Sequence, residues 1–325
     1  MLSVFVCGPQ GLLRHEPEAD GPAIPDEALW VDLLEPTPME ERHVEERLAI
    51  GVPTREEMRE IEASNRLYEE GGALFMTATV VTKLDTDVPE NAQITFILAG
   101  RRLITNRYVD PLPFRRFVSY AGRHPSICVS APMMLAGLLE AIINRIADSI
   151  ERVGADLDRT SEEVFAGSYR RAASRDFRVL LQRCGQNGEL ISKTRETLVS
   201  LARLLAFLQQ STGQEGVTQE VRSRYRTLSR DVLAMSDHAS FLGTKVAFIL
   251  DATLGMINID QNNILKIFSM ITVFLLPPSV IAAFYGMNFP HIPGLGAPWG
   301  HWAALGMMLV SSIVPYLIFR RRGWL

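Results

Sequence analysis

The stretch SVIAAFYGMNFPHIPGLGAPW, from Ser279 to Trp299, contains no Lys, Arg, Asp or Glu, yet it places Gly286, Met287 and Asn288 near its centre. A helix ending there leaves backbone carbonyls unpaired, and in apolar surroundings these must face water, protein or an ion. The amide oxygen of Asn288 adds a further dipole beside them. Oxygen dipoles suit a hard cation such as magnesium, which gives up its water reluctantly. A ring of such oxygens would hold the ion with its hydration shell intact, where fixed carboxylates would bind it too tightly to release. The same triplet also fits a plain C-cap on a helical hairpin, since Gly and Asn are common at helix ends.

A second feature lies just upstream. On a helix turning roughly 100° per residue, Asn262, Leu265, Ser269, Thr272, Leu276, Ser279 and Ala283 fall within an arc of roughly 100°. This stripe is small or polar, whereas Ile267, Ile271, Phe274 and Ile281 lie on the other side and suit lipid or neighbouring helices. A polar stripe in a membrane helix faces a bundle interior or a water path. Ser and Thr also satisfy their own helix backbone, and Pro277-Pro278 frees carbonyls that need partners, so a purely structural reading stands beside the functional one.

The elements that must position these residues are membrane spans. No ordinary charge occurs from Ile267 to Phe319, and a bilayer core needs about 20 apolar residues per helix. The run therefore suits a first span over 267–285, a loop over 286–300 broken by Pro290, Pro293, Gly294, Gly296 and Pro298, and a second span over 301–319. A buried hairpin in a soluble core is the alternative, but soluble cores seldom use uncharged runs this long. Trp299 and Trp302 sit where an interfacial belt is expected, and Trp324 lies beyond the other end. Lys266 precedes the first span, and Arg320, Arg321 and Arg322 open a basic tail over 320–325, while the loop has no basic residue. The positive-inside rule then puts both termini in the cytoplasm. Two spans cannot enclose a pore, so conduction requires an oligomer with the first spans around an axis.

The remainder is a cytoplasmic body. MLSVFVC, ALWVDLL, ALFMTATVVTKL, AQITFILAG and RRLITNRY read as strands, with Gly100-Arg101 turning a hairpin between the last two. PMEERHVEERLAI and TREEMREIEA read as helices. This gives an α/β domain over residues 1–132. From Met133 the pattern is helical through a stalk region over 133–266: apolar residues at helical spacing from Leu138 to Leu157, a second helix over about 175–210, a turn at STGQEG, and a third helix from near Thr218. That third helix has no strong breaker before Pro277, so it would exceed about 80 Å and run on into the first span.

The net charge of −4 says little by itself, but with Arg320, Arg321 and Arg322 set aside residues 1–319 carry −7, a mildly acidic bulk that argues against nucleic acid as a partner. Cys7, Cys128 and Cys184 are isolated and read as reduced, buried thiols. The opening MLSVFVCGPQ lacks a basic lead and a long apolar run, so it is not expected to be a secretory signal. Asp156, Asp158, Glu162 and Glu163 read as a solvated helix face, and Asp85, Asp87 and Glu90 as an acidic turn. There is no P-loop, dinucleotide fingerprint or catalytic triad, so no enzyme activity and no nucleotide are expected.

The motif YGMNF (285–289), the two short C-terminal spans and the tail FRRRGWL resemble the CorA family of magnesium channels. Residues 256–289, MINIDQNNILKIFSMITVFLLPPSVIAAFYGMNF, resemble the stalk end and first span of its Gram-negative type. EIEASNRLYEE (60–70) and the opening MLSVF resemble early stretches of the same family. The resemblance implies an α+β membrane protein: a homopentameric funnel in the inner membrane, with a cytoplasmic α/β domain, a long helical stalk and two C-terminal transmembrane helices. It implies Gly286, Met287 and Asn288 as the selectivity filter. Asn262, Leu265, Phe268, Thr272, Leu276, Ser279 and Ala283 would line the pore, with Leu265, Phe268 and Leu276 as an apolar constriction that gates by dewetting. Asp251 matches a position where cytoplasmic magnesium bridges subunits and favours the closed state. Magnesium is then both substrate and regulatory ligand, no cofactor is needed, and cobalt and nickel are lesser substrates.

One departure matters. Such family members often end the loop after GMN with Met-Pro-Glu-Leu, whereas here Ile292-Pro293-Gly294-Leu295 stands in that place and the acid is missing. This keeps open a zinc-transporting branch of the superfamily, for which His291 and His301 are candidate ligands, although their spacing is not that of a metal site. A membrane-tethered sensor or scaffold that conducts nothing is the alternative of another class.

Overall fold

The computed structural model describes residues 1–15, 24–60, 62–86, 88–166, 176–211, 217–288, 292–294 and 296–322. By internal contacts the chain forms two units, Met1–Leu250 and Asp251–Leu325.

In chain order the first unit holds β1 (Leu2–Gly8), β2 (Gly11–His15), β3 (Ala28–Leu34), α1 (Pro38–Leu48), a 3-10 turn (Glu57–Arg59), α2 (Ala63–Arg66), β4 (Leu67–Glu70), β5 (Ala73–Thr82), β6 (Glu90–Ala99), β7 (Arg102–Arg107), α3 (Leu112–Ala121), α4 (Ala131–Ala166) and α5 (Phe177–Gln210). The strands form one sheet in the order β2-β1-β3-β7-β6-β5-β4. Only β3 and β7 run parallel; the other neighbours are antiparallel. Gly100-Arg101 turns the β6–β7 hairpin as expected, with Ala99 opposite Arg102.

Alternation sends successive side chains to opposite faces. Val31, Leu33, Ile97 and Ile104 share one buried cluster with Val44 of α1. On the other face Trp30 packs against Phe114 and Phe117 of α3, at 6.3 and 5.9 Å between ring centroids. There α4 lies against β6 and β7, and α5 against β5 and β6. With both faces covered, every residue of β5 is buried, which accounts for its nearly unbroken apolar run. At the parallel pair, buried Asp32 of β3 accepts from Arg107 of β7 at 2.9 and 2.7 Å, and Trp30 Nε1 donates to Thr105 Oγ1 at 3.0 Å. The indole, the hydroxyl and both charges are thus paired inside the sheet.

TREEMREIEA does not form the helix its composition suggests. The chain makes the short 3-10 turn, and Glu60 is extended at φ −58, ψ 142. Met58 is buried, and Asn106 Nδ2 holds the neighbouring Pro53 carbonyl at 2.9 Å. These tertiary ties outweigh helix propensity. Conversely α3 forms despite its prolines, because Pro111 is the N-cap and Pro113 falls in the first turn, where no intrahelical N–H bond is lost.

From Gln219 to Tyr285 runs α6, a single helix of 67 residues with Pro277 and Pro278 inside it; α7 follows at Gly300–Arg321. Each holds an 18-residue window apolar enough to cross a membrane, with mean hydropathy 2.1 and 1.8, and almost none of either window is buried. A hairpin in a soluble core would be covered by protein, so the exposure favours lipid as its solvent.

Candidate functional site

Within the second unit, α6 ends at the sequence-predicted triplet. Gly286 N donates to Ala282 O at 2.9 Å and Met287 N to Phe284 O at 3.4 Å. A Cβ on Gly286 would stand 3.1 Å from Ala282 O, so glycine lets the last turn close tightly on its own carbonyls. Met287 and Asn288 are exposed. Among the described residues the Asn288 side chain makes no hydrogen bond, so it does not cap α6. Phe289, Pro290 and His291 lie outside the described residues.

The face of α6 that α7 meets is defined by Phe274 and Ile281. Phe274 lies 6.3 Å from Tyr316 and 6.2 Å from Phe319 between ring centroids. Ile281 lines a shallow cleft with Ala303, Gly306, Met307 and Val310. The half-buried residues of this stretch, Met270, Phe274, Pro277, Pro278, Ile281 and Tyr285, all fall on this one side. At roughly 100° per residue the stripe Asn262, Leu265, Ser269, Thr272, Leu276, Ser279 and Ala283 lies diametrically opposite. All of these, and Phe268 at the stripe's edge, are exposed. The chain itself thus leaves the candidate pore-lining residues uncovered.

The double proline has a visible consequence. Pro278 has no N–H, which orphans the Phe274 carbonyl one turn back. Ser312 Oγ of α7 donates to that carbonyl at 3.3 Å. Sequence reasoning foresaw the freed carbonyls but not their partner, because nothing local links positions 274 and 312. In the stripe, Thr272 Oγ1 donates to Phe268 O at 2.9 Å and Ser279 Oγ to Leu275 O at 2.6 Å. The backbone thus claims the hydroxyl protons, and the oxygens keep lone pairs for a cation or its water.

The loop explains the missing acid. Gly294 has φ +86, and a Cβ on Gly300 would stand 2.1 Å from Gly294 O. The loop therefore folds onto the start of α7 through two glycines, and a side chain at 294 would be strained. Leu295 lies outside the described residues. Trp299 and Trp302 are exposed, as an interfacial belt requires, and His301 is occupied by Trp302 at 4.9 Å between rings.

Asp251 is exposed on α6. No cluster of three or more His, Cys, Asp or Glu able to hold a metal occurs among the described residues. Asp251 by itself offers one exposed carboxylate.

The acidic face of α4 is solvated as expected, with Asp158, Glu162 and Glu163 exposed. Three of its carboxylates also reach neighbouring helices: Asp158 pairs with Lys245, Glu163 with Arg183 at 3.1 Å, and Asp156 accepts from Asn187 at 2.7 Å. Asp85 binds Arg145 at 2.5 Å and Arg152 at 3.2 Å. The hydrogen bond from Arg145 holds its carboxyl below the usual range. Glu90 pairs with Lys83, and Asp87 lies outside the described residues. Of the thiols, Cys128 and Cys184 are buried but Cys7 is exposed, contrary to expectation. Burial pushes the Cys128 thiol up to about 11.

Comparison with known proteins agrees with this geometry. The family profile "CorA-like Mg2+ transporter protein" matches residues 25–321. The chain is 33% identical over 302 residues to the magnesium transport protein CorA of Mannheimia succiniciproducens, covering 92% of this chain and 93% of that protein. It is 32% identical over 325 residues to the protein of that name from Escherichia coli K12, covering 100% of both. Its fold matches the complete structure of the CorA magnesium transporter from Methanocaldococcus jannaschii with a TM-score of 0.79 at 19% identity, over 100% of this chain and 99% of that one.

Proposed function

The chain belongs to the CorA-like Mg2+ transporter family, and we propose that it is a magnesium transporter working as a homopentameric, passive channel in the inner membrane. The observation that carries the reading is the placement of the stripe: α7 takes one face of α6, and the small and polar face opposite is left bare along its length. Several copies set around an axis would turn that face inward and gather their Asn288 amides at its outer end. Gly286, Met287 and Asn288 form the filter. Asn262, Leu265, Phe268, Thr272, Leu276, Ser279 and Ala283 line the path, with Leu265, Phe268 and Leu276 as the dewetting constriction.

The division of labour follows. Residues 1–132 are a cytoplasmic α/β domain and 133–266 a helical stalk. Residues 267–285 are the pore-lining span, 286–300 the outer loop, 301–319 the second span and 320–325 a basic tail, with both termini cytoplasmic. The membrane potential drives entry: a divalent ion gains about 4.6 kcal/mol per 100 mV. Cobalt and nickel are carried less well. Cytoplasmic magnesium bound at Asp251 between subunits favours the closed state. When it leaves, the carboxylates repel and α6 moves, carrying Asn288 with it.

Flux into liposomes containing the purified protein tests the reading, magnesium against zinc, with and without a pH gradient. Magnesium uptake that follows the potential is expected. Zinc uptake that follows the pH gradient would favour the zinc-transporting branch, and no flux of either ion would leave only a tethered scaffold.

A further inference from the structure

The sheet has an open outer edge beside α5. β4 pairs with β5 only from Ala73 to Met76, although β5 continues to Thr82. Edge N–H groups beyond β4 need other partners. α5 supplies them: Ser200 Oγ accepts from Thr79 N and Thr197 Oγ1 from Val81 N, both at 2.9 Å. Along this seam lies a cavity of about 500 Å³ whose lining includes Arg66, Thr79, Ser192, Arg195, Ser200 and Arg203.

The cavity is cationic. Three guanidiniums face a single carboxylate, Glu196, which already accepts from Asn91 Nδ2 at 2.6 Å. Arg66 is fixed in place, donating from Nη1 to Thr79 Oγ1 at 3.0 Å and from Nε to Glu60 O. Arg195 and Arg203 are exposed and form no salt bridge with any described residue. They sit eight residues apart on α5, roughly 12 Å along its axis. Ser200 Oγ accepts from Thr79 N–H and Thr79 Oγ1 from Arg66, and neither hydroxyl donates to a described residue, so both protons can donate into the cavity.

Guanidinium forks match phosphate oxygens, and hydroxyl protons complete such a cradle. Among the described residues no aromatic side chain lines the cavity, so they offer no platform for a nucleobase. We propose that this cavity binds a compact oligophosphate anion of the tripolyphosphate class, spanned by Arg195 and Arg203 and seated on Arg66, Thr79 and Ser200.

Calorimetric titration of the full-length protein in detergent with sodium tripolyphosphate, in low-salt, divalent-free buffer, tests this. One saturable site per chain is expected. Arg195→Ala and Arg203→Ala should each weaken binding by about tenfold or more, the loss of charge-assisted hydrogen bonds, and the double variant should bind undetectably. Arg203→Lys should recover part of the loss, and Arg222→Ala, an exposed cation elsewhere, should bind as the parent does. ATP should bind no more tightly than tripolyphosphate. No saturable binding by the parent, or parent-like binding by a folded double variant, overturns the site. ATP binding tighter by about tenfold overturns the ligand class and points to a nucleotide.

Discussion

In the first unit Trp30, Ile97 and Ile104 have no solvent contact, whereas in the second Leu265, Phe268 and Leu276 are 62%, 64% and 57% exposed. The two regions differ as sharply in how they satisfy polar groups. The α/β unit pairs residues far apart in sequence: Asp32 with Arg107, Trp30 with Thr105, Asn106 with Pro53. The C-terminal unit mostly pairs within one helical turn, as Thr272 does with Phe268 and Ser279 with Leu275. A chain meeting water buries its apolar groups in itself. A chain meeting lipid has no such drive and closes its hydrogen bonds locally, leaving its side faces for lipid or for other copies.

The largest effect expected to test that contrast is at Asn288. Its amide has no partner among the described residues, so Asn288→Ala should leave folding and assembly intact and abolish selective magnesium flux in liposomes. Normal flux from a folded variant would remove Asn288 from the filter. Next is Asp251→Ala: on the proposed gating it should keep flux high when internal magnesium is raised, where the parent's flux should fall; the same fall in both would assign regulation elsewhere. In the water-facing unit, Asp32→Ala leaves buried Arg107 with Asp110 as its remaining carboxylate. The cost should be about 1.5–3 kcal/mol, the loss of its charged hydrogen bonds to Asp32, read as a fall in the chemical-denaturation midpoint of the full-length protein. A shift under about 1 kcal/mol would mean that water reaches the pair.

Two smaller changes sharpen the picture of the lipid-facing unit. Gly294→Glu restores the acid at a left-handed position, so thermal stability should fall by the equivalent of about 1–3 kcal/mol. An acid accommodated there at no cost would show that the loop does not depend on φ +86. Ser312→Ala leaves the Phe274 carbonyl without its hydroxyl donor. A loss near 1 kcal/mol in resistance to denaturation by detergent is expected. If the loss is absent, lipid or water serves that carbonyl as well as Ser312 does.

Legibility followed the same divide. Five strands, α1 and the long helices could be read from periodicity, because each pattern answers to its immediate surroundings. The helix expected over TREEMREIEA was wrong because buried Met58 and the Asn106–Pro53 bond, both set by distant parts of the chain, decided that segment. β2 and β4 were missed because short edge strands carry little apolar signal. The acidic face holding Asp156, Asp158 and Glu163 was legible as solvated, but its partners Asn187, Lys245 and Arg183 were not, because they lie on other helices.

Sequence alone determined where the chain can cross a membrane, where the polar stripe runs and where the first span stops. Each of these depends on residue type at a fixed helical repeat, which the backbone imposes without help from elsewhere. Only the tertiary structure decided which side of α6 is taken by α7, that Ser312 would answer the proline-freed carbonyl, and that the Gly294 carbonyl would leave no room for a side chain at Gly300. These are contacts between residues that no local period connects, and they are fixed only when two elements meet.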